Sequence, residues 1–517
     1  MTFEIVFVLL SLLGMVAALI ADKMRPGMIL FSVVVLFLCA GILTPKEMLE
    51  GFSNKGMITV ALLFLVSEGI RQSGTLGQVI KKLLPQGKTT VFKAQLRILP
   101  SVAFISAFLN NTPVVVIFAP IIKHWAKSVN LPATKFLIPL SYVTILGGIC
   151  TLIGTSTNLV VHGMILEAGF EGFSMFELGK VGIFIAIAGI IYIFLFSKRL
   201  LPDARPDTAG GDEEVEEGEK LHRVEAVLGA RFPGINKKLK DFNFQRHYGA
   251  EVKEIKTRNG QRFVSNLEEV VLHEGDTLVV MADDTFIPTW GESSVFVLLT
   301  NGNEPDTTGK KKRWFALLLL VLMIVGATVG ELPITKEMFP DIKLDMFFFV
   351  SITTIIMAWT NLFPARKYTK YISWDILITI ACAFAISKAM VNSGVADSVA
   401  KFIIGLSDDY GPHVLLAMVF IITNLFTELI TNNAAAALAF PLALSISAQL
   451  GVSPTPFFVV ICMAASASFS TPIGYQTNLI VQGIGNYKFT DFVRIGLPLN
   501  IITFLISIIL IPLIWNF

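Results

Sequence analysis

The sequence has little charge and no grouping of residues that would bind a metal or catalyse a reaction. Charged residues make up 15% of its 517 residues, hydrophobic residues make up 54%, and the mean hydropathy is +0.69. These values exclude an ordinary soluble domain. The net charge of +2 indicates no class of partner by itself, and we expect no nucleic-acid binding. Without a nucleophile–base pair or a metal-ligand cluster, we also expect no enzyme.

Cysteines and cleavage signals are equally sparse. The four cysteines, at 39, 150, 382 and 462, lie scattered in apolar segments and predict neither a disulfide framework nor a metal cluster. No positive residue precedes the first apolar run, and no small-residue cleavage site follows it. We therefore interpret that run as a first transmembrane helix and not as a signal peptide.

What the chain does have is a polar pattern that occurs twice. Two stretches fit T-x-I-G-x-x-T-N-L-x-V-x-G, and their asparagines lie 320 positions apart. Two further pairs of stretches match at essentially the same offset. The matched stretches are 151–163 with 471–483, 110–113 with 431–434, and 64–74 with 384–394. Three matches at one spacing predict an internal duplication.

Ten apolar segments are long enough to cross a bilayer. They lie at about 3–20, 27–43, 57–72, 133–167 (interrupted), 181–197, 314–332, 344–362, 374–391, 455–485 (interrupted) and 496–515. Two further apolar stretches, about 98–122 and 414–442, have asparagine motifs at their centres and are too polar there for a clean crossing. We expect both to form re-entrant hairpins, which enter and leave on one side.

Loop charges predict the orientation in the lipid bilayer. Most of the Lys and Arg residues of the loops fall on one side of this plan: 23 and 25, 71–93, 123 and 127, 198–199, 310–313 and 366–370. That side is cytoplasmic by the positive-inside rule, which leaves the N-terminus outside. Each half has five crossings and one hairpin, so the second half is inverted relative to the first. The first hairpin then opens from the cytoplasm and the second from outside. We predict an integral, multi-pass protein of the plasma (cell inner) membrane.

Composition divides the chain into three parts: a first transmembrane repeat (1–200), a cytosolic insert with its linkers (201–313) and a second transmembrane repeat (314–517). The insert contains the acidic run 212–219 and short alternating stretches such as 250–255 and 277–281, separated by Gly260 and Gly275. This pattern predicts a small, hairpin-rich α+β domain on flexible polar linkers. The predicted fold class is an α-helical polytopic membrane protein with this insert.

The repeated motifs predict helix starts inside the membrane. Gly154 and Gly474 lie where a spanning helix must unwind, and Thr-Asn pairs precede the next apolar runs as N-caps do. In the first hairpin Thr112 precedes Pro113 as a cap precedes proline at a first helical position. Free N–H groups and positive dipole ends attract an anion. The predicted substrate-binding residues are Asn110, Asn111, Thr112, Thr157, Asn158, Asn432, Asn433, Thr477 and Asn478.

The same motifs contain no Asp or Glu, so their neutral oxygens suit a monovalent cation better than a divalent one. We predict Na⁺ as the coupling ion, although buried Asn and Thr can also serve only to hydrogen-bond helices together. The predicted cation ligands are Asn111, Gly154, Thr155, Asn158, Asn432, Gly474, Thr477 and Asn478.

Few other ionisable residues fall inside the membrane segments. Glu68 and Lys388 occupy equivalent positions in the repeats, and a structural ion pair between them is one interpretation. Glu428, in the outer hairpin, could serve a proton-coupled cycle or could simply face water. His162 is expected only to pack.

The paired motifs resemble those of the divalent-anion/Na⁺ symporters, solute-carrier family 13, over about 400 residues of both membrane halves. The resemblance implies two re-entrant hairpins, a homodimer and an elevator-like motion against a fixed scaffold. Asn110, Thr431 and Asn433 depart from the pattern of the dicarboxylate carriers. With the inserted domain, the sequence is more similar to the sulfate-type branch.

The insert resembles the C-terminal ligand-binding module of TrkA potassium-uptake regulators, through residues 231–252 and 273–280. The resemblance implies a possible small regulatory ligand, while a passive structural domain is the alternative.

Together these features predict a secondary active transporter that couples a small divalent anion, sulfate or dicarboxylate, to Na⁺. A proton-coupled anion carrier or a Na⁺/H⁺ antiporter is the nearest alternative. A ligand-gated channel is an alternative of another class, although no carbonyl-ring selectivity filter is visible.

Overall fold

A computed structural model describes residues 3–21, 24–203, 222–229, 231–257, 261–283, 286, 290, 295–300, 310–339, 341–405 and 411–517. The helices of the first half are α1 (Phe3–Ala21), α2 (Pro26–Cys39), α3 (Pro45–Glu50), α4 (Lys55–Gln72), α5 (Thr75–Leu83), α6 (Val91–Ser106), α7 (Asn111–Ser128), α8 (Leu137–Gly148), α9 (Ser156–Glu167) and α10 (Gly179–Leu200). After the short α11 (Phe244–Tyr248) of the insert, the second half contains α12 (Lys310–Gly330), α13 (Pro333–Met338), α14 (Met346–Trp359), α15 (Tyr368–Tyr371), α16 (Trp374–Asn392), α17 (Val395–Gly405), α18 (Gly411–Leu429), α19 (Asn432–Leu450), α20 (Thr455–Ser466), α21 (Gln476–Gly485) and α22 (Phe489–Ile514).

The two halves repeat the same order of helices. From α4 to α10 and from α16 to α22, each half has a long helix, a short helix begun at a left-handed glycine (Gly74 or Gly394), two hairpin arms, a broken pair and a final long helix. Eight of the described helices are long and apolar enough to cross a membrane. The protein is therefore a helical, multi-pass membrane protein, and the predicted duplication is visible in its architecture.

The structure differs from the predicted spans in three respects. The predicted spans 27–43 and 344–362 are the 14-residue helices α2 and α14, which are shorter than the eight candidate spans. The outer-hairpin arms α18 and α19 have 19 residues each, so the hairpin extends well beyond the predicted 414–442. By length alone each arm could cross a membrane. The short amphipathic helices α5 and α17, with their polar faces outward, were not predicted because they are too short to give a spanning signal.

The inverted arrangement follows from which helix ends meet. α7 and α21 both run from the central breaks toward the insert, where Lys123 and Gly483 contact it. α8 begins on that same side, since the Tyr487 hydroxyl just beyond α21 donates to the Thr134 carbonyl at 2.5 Å. Beyond the break, α9 therefore continues away from the insert. α19 starts beside the first turn of α9, where Asn433 accepts a hydrogen bond from Ser156. The two hairpins approach the centre from opposite sides.

The insert folds as a five-stranded antiparallel sheet of order β3-β2-β4-β1-β5. Its strands are β1 (His222–Leu228), β2 (Glu251–Lys256), β3 (Arg262–Phe263), β4 (Thr277–Ala282) and β5 (Phe296–Thr300). One face is covered by aromatic residues of the insert itself, with Phe232 at their centre, packed against Phe242, Tyr248 and Phe296. The predicted linkers lie mostly outside the described residues.

The predicted Glu68–Lys388 ion pair is wrong. Glu68 accepts hydrogen bonds from its helical neighbours Arg71 (2.6 Å) and Gln72 (2.6 Å), and the Lys388 side chain is exposed. Residues three and four positions apart share a helix face, so Glu68 finds its partners within its own helix.

Candidate functional site

The two hairpin tips are built alike. The Ser106 hydroxyl and the Asn111 amide lie 2.7 Å apart, and Thr427 and Asn432 form the same contact at 2.7 Å in the other repeat. In each tip a hydroxyl on the first arm therefore holds the asparagine that begins the second arm. Sequence reasoning missed both hydroxyl residues, although each lies five positions before its asparagine.

The two helix breaks are also built alike. The N–H groups of Gly154 and Gly474 donate to Oγ1 of Thr151 (3.1 Å) and Thr471 (3.2 Å). The side-chain amides of Asn158 and Asn478 donate to the carbonyl oxygens of the same two threonines, at 2.9 and 3.1 Å. A Cβ on Gly154 would collide with the Gly148 carbonyl, and one on Gly474 with Ser468 Oγ. Each break therefore needs glycine for close packing.

The helix starts lie two or three residues earlier than predicted. The N-caps are Asn110, Thr155, Thr431 and Tyr475. Thr112, Thr157, Asn158, Asn433, Thr477 and Asn478 thus belong to the first helical turns and are not caps. The prediction placed the caps too late because it took the strongest cap-forming side chains as the boundary. Here those side chains face other helices instead.

The repeats interlock at the centre through these first turns. Ser156 and Thr157, in the first break, donate to Asn433 Oδ1 of the second hairpin at 3.3 and 3.2 Å. Thr112, in the first hairpin, donates to Gln476 Oε1 of the second break at 3.3 Å. Each hairpin tip is therefore bonded to the break of the other repeat, and the four motifs form one site.

Tyr475 lies at the middle of this site. Its hydroxyl is 2.6 Å from the Asn111 amide and 3.2 Å from Thr155 Oγ1, and it also interacts with Asn432. Asn111 can accept from that hydroxyl while its own nitrogen donates to the Gly154 and Thr144 carbonyls at 3.2 and 3.1 Å. Thr155 and Tyr475 are equivalent positions of the two repeats, so their contact joins residues related by the pseudo-twofold. The predicted residue set omitted Tyr475, although an aromatic residue inside an otherwise polar motif could have drawn attention to it.

None of the four central N-cap side chains accepts a hydrogen bond from its helix. Elsewhere α4 is capped by Asn54, which accepts from the Gly56 N–H at 2.8 Å, and α6 is capped by Thr90. Uncapped first turns leave backbone donors and the positive ends of four helix dipoles directed at one place. This arrangement can stabilise an anion without a cationic side chain.

Two buried oxygens at the four central helix starts have no protein partner among the described residues, Asn158 Oδ1 and Thr431 Oγ1. Asn158 Oδ1 is fully buried and unpaired, whereas Asn478 Oδ1 accepts from Ser141 Oγ at 2.7 Å. Ser141 has Ile461 as its counterpart 320 positions on, and isoleucine cannot donate to Asn158. A buried acceptor without a donor costs roughly 1–3 kcal/mol, and a bound cation would satisfy it. The donor set therefore fits Na⁺ best beside Asn158.

Glu428 lies next to the second break. Its Oε1 accepts from the Ser470 N–H at 2.9 Å and from the Asn500 amide at 2.7 Å, while Oε2 has no partner within the described part of the chain. The corresponding place in the first repeat is Ala107, because the carbonyls of both residues accept from the break threonines. A carboxyl group at this depth thus occurs in only one repeat.

The structure brings every predicted site residue to this centre. Asn110 lines a narrow cleft with Ser67 and Ser156, bounded by apolar side chains of α4, α9 and α12. The other predicted residues lie within the two tips and two breaks described above. Their roles in binding stay predictions. The hydrogen bonds described above show which variant would test each of them.

Comparison with known proteins identifies the family. The family model described as citrate transporter (CitMHS) matches residues 16–445 and, in a second match, residues 342–516. An uncharacterised transporter of Synechocystis sp. is 30% identical, over 94% of this chain and 93% of the relative. Sodium/sulfate cotransporter 2 of Chlamydomonas reinhardtii is 31% identical over 54% of this chain and 31% of its own length. The YdaH transporter of Alcanivorax borkumensis shares the fold, with a TM-score of 0.52 at 12% identity over 90% of this chain and 87% of that one.

These relatives are transporters and not enzymes, as expected for a chain with eight candidate membrane spans. The predicted resemblance holds at the level of divalent-anion transporters, with matches both to citrate transporters and to sodium/sulfate cotransporters. The protein described here belongs to the citrate transporter (CitMHS) family, as an integral, multi-pass membrane transporter.

Proposed function

We propose that the protein imports a small divalent anion, sulfate first, by symport with Na⁺ across the plasma membrane. The observation that supports this most is the meeting of four uncapped helix N-termini with no Asp or Glu among the interlocked motif residues. Backbone N–H groups and hydroxyls would hold the anion, and Tyr475 would donate to it from the centre. The Tyr475 ring fills space between the tips, so a compact tetrahedral anion fits better than an extended tricarboxylate such as citrate.

The Na⁺ assignment rests on the unpaired Asn158 Oδ1 and on the name of a relative that is a sodium/sulfate cotransporter. A cation beside Asn158 would lie close to the helix starts that hold the anion. Each ion would then lower the electrostatic cost of burying the other, which is the physical basis of obligatory symport.

The test is uptake of labelled sulfate by proteoliposomes, with Na⁺ or choline outside and with unlabelled sulfate, succinate, citrate and phosphate as competitors. We expect saturable uptake that needs a Na⁺ gradient and is competed best by sulfate. Competition by citrate alone would contradict the size argument, while uptake unchanged in choline would contradict Na⁺ coupling. Flux that does not saturate and needs no gradient would instead indicate a ligand-gated channel.

Proton coupling is a second candidate, favoured by the carboxyl of Glu428. Its Oε2 has neither a hydrogen-bond partner nor a cationic neighbour among its described contacts, so this is the oxygen that would carry a coupling proton. If a proton replaces Na⁺, a pH gradient should drive uptake in choline and Glu428→Gln should abolish that uptake. A Na⁺/H⁺ antiporter would instead move protons without any anion present.

The moving parts are proposals as well. We expect an elevator-like motion of the tips and breaks against the remaining helices, in a homodimer, as the family resemblance implies. The insert, which resembles a TrkA C-terminal module, would lie in the cytosol, where it would bind a small regulatory ligand. Uptake with candidate nucleotides inside the vesicles would test the last point. An unchanged rate at every ligand tried would favour the passive alternative.

A further inference from the structure

The sheet of the insert has a second face, and membrane helices cover it. Along β1, Val224, Ala226 and Leu228 point into the aromatic core of the insert. Because successive side chains of a strand point to opposite faces, Glu225 and Val227 point the other way. Val227 is 1% exposed and belongs to the apolar core of the membrane helices. The insert therefore packs directly on the membrane part and is not held by its linkers alone.

A partly buried group of charges forms one half of this contact. Lys123, on α7, lies 3.0 Å from both carboxylate oxygens of Glu225, and Lys256, on β2, lies 3.4 Å from Oε1. The three side chains are 22%, 17% and 5% exposed. Burial of Glu225 opposes its ionisation, but the two lysines outweigh burial and lower its pKa to about 2. The carboxylate is thus charged at every physiological pH, and Lys123 cannot leave it without exposing a poorly solvated charge.

Two glycines form the other half of the contact, on α21. Gly275, in the turn before β4, has φ +85° and lies so close to Leu479 that a Cβ would come within 2.5 Å of that side chain. Gly483, one helical turn beyond Leu479, would place a Cβ 2.6 Å from Thr277 Oγ1. Leu479 directly follows Asn478 of the site. The insert is therefore packed against the very helix that carries Asn478 and Thr477.

We propose that the insert is a rigid extension of α7 and α21, travels with them during transport, and is not a loosely tethered sensor. This inference rests on the proposed moving site. α7 and α21 both begin at the site and end under the insert, so the three parts form one body. The insert also contacts the segment before α16, where Arg231 donates to the Ile372 carbonyl at 3.5 Å. α16 carries none of the site residues and packs on α2 as well as on α19 of the second hairpin. We assign α2 and α16 to the scaffold, along which the hairpin would move. The Arg231 contact is then the one that breaks.

Two cross-links distinguish the two contacts. Thr277→Cys with Gly483→Cys would place the two Cβ atoms 3.9 Å apart, close to the mean for disulfides of about 3.8 Å. We expect this disulfide to form and to leave sulfate uptake close to that of the reduced protein. Arg231→Cys with Ser373→Cys, joined by a short bis-maleimide, should abolish uptake, because it ties the insert to the scaffold. Both pairs are made in a Cys39→Ser background, since Cys39 is exposed.

The controls separate this inference from the proposed function. Transport should be normal in the single-cysteine variants at 277, 231 and 373 and in the reduced 277–483 pair, which establishes uptake before any cross-link is judged. Loss of uptake on forming the 277–483 disulfide would mean that the insert must detach in each cycle and would overturn the proposal. Undiminished uptake with 231 and 373 joined would overturn it equally. If the folded variants take up no sulfate even before they are cross-linked, the transport proposal is at fault instead.

A charge swap provides a second test that needs no glycine replacement. Lys123→Glu should weaken docking and lower uptake, seen as faster proteolysis of the insert in detergent-solubilised protein. Adding Glu225→Lys with Lys256→Glu should restore both readings, because all three charges of the group are then reversed and each keeps an opposite neighbour. A correctly folded triple variant that stays proteolysed would contradict the proposed contact.

Discussion

The two repeats share the contacts that hold their hairpin tips and helix breaks, and they differ in side chains at the centre of the site. Both tips have the 2.7 Å hydroxyl–asparagine contact, and both breaks have the threonine–glycine bond. Among the central positions that differ are Thr155 against Tyr475, Ser141 against Ile461, and Ala107 against Glu428. The shared residues hold helix starts in place, and this backbone requirement is the same on both sides of the pseudo-twofold.

The differing residues make the centre of the site asymmetric about the pseudo-twofold that relates the repeats. If the proposed anion binds at the pseudo-twofold, two tyrosine rings would leave it no room, and the site has one. One repeat leaves an unpaired amide oxygen at Asn158, and the other satisfies its equivalent through Ser141. We infer that the duplicated frame binds the anion jointly, while cation binding is divided unequally between the repeats.

The largest expected effect concerns the inversion itself and is all-or-none. Lys127, near the end of α7, and Ala448, near the end of α19, are equivalent and exposed. The protein is expressed in whole cells with Cys39 replaced by Ser. A membrane-impermeant maleimide should then label Ala448→Cys in intact cells and Lys127→Cys only after permeabilisation. Labelling of both from one side would mean that the repeats are parallel. The hairpin residues Ser106 and Thr427 are poor labelling sites, because both are buried and bonded to the tip asparagines.

The next largest effect should come from the central hydroxyls. Tyr475→Phe leaves the Asn111 amide without its 2.6 Å partner, at a cost of roughly 1–3 kcal/mol, so the concentration of sulfate for half-maximal uptake should rise about tenfold or more. Thr155→Val removes only the longer 3.2 Å contact and should have a clearly smaller effect.

Tyr475→Thr recreates the first repeat's residue and enlarges the centre. It should improve competition by citrate relative to sulfate in the uptake assay. Equal losses from Tyr475→Phe and Thr155→Val, together with unchanged selectivity in Tyr475→Thr, would remove the central role of the tyrosine.

A smaller effect should separate the two motif asparagines. Asn158→Ala removes the oxygen without a protein partner and should raise the Na⁺ concentration for half-maximal uptake about tenfold, which corresponds to roughly 1.4 kcal/mol. Asn478→Ala instead removes bonds to Ser141, Ser468 and Thr471. It should lower the unfolding temperature more than it changes Na⁺ dependence. If the two variants change Na⁺ dependence equally and have equal stabilities in a thermal-shift assay, the result would favour a symmetric pair of cation sites.

The smallest effect should come from exchanging the neighbours of those asparagines. Ile461→Ser offers Asn158 a hydroxyl donor that competes with Na⁺, and a hydrogen bond of about 1 kcal/mol predicts a rise of roughly threefold to fivefold in half-saturating Na⁺. Ser141→Ala, the mirror change, should lower stability by a similar free energy and leave Na⁺ dependence unchanged. A shift in Na⁺ dependence with Ser141→Ala but not with Ile461→Ser would place the cation in the other repeat.

The sequence alone determined the class, the duplication and the inversion, together with the four motifs of the site. These properties depend on the number of apolar segments, the parity of the crossings and the spacing of helix breakers, all of which are local. Asn111, Asn158, Asn432 and Asn478 were found because polar residues are rare in long apolar runs. Helix starts were predicted two or three residues late, since a cap-forming side chain can instead form its hydrogen bond with a neighbouring helix.

Only the tertiary structure decided which side chains of each repeat find hydrogen-bond partners and where the insert lies. Asn158 and Asn478 are identical in their motifs, and what distinguishes them is Ser141 or Ile461 on another helix. Glu68 was paired with Lys388 by position but is satisfied within its own helix. The docking of Glu225 on Lys123 joins residues 102 positions apart, and that of Gly275 on Leu479 joins segments from different domains. Such contacts depend on how helices pack around one another, and no local pattern encodes them.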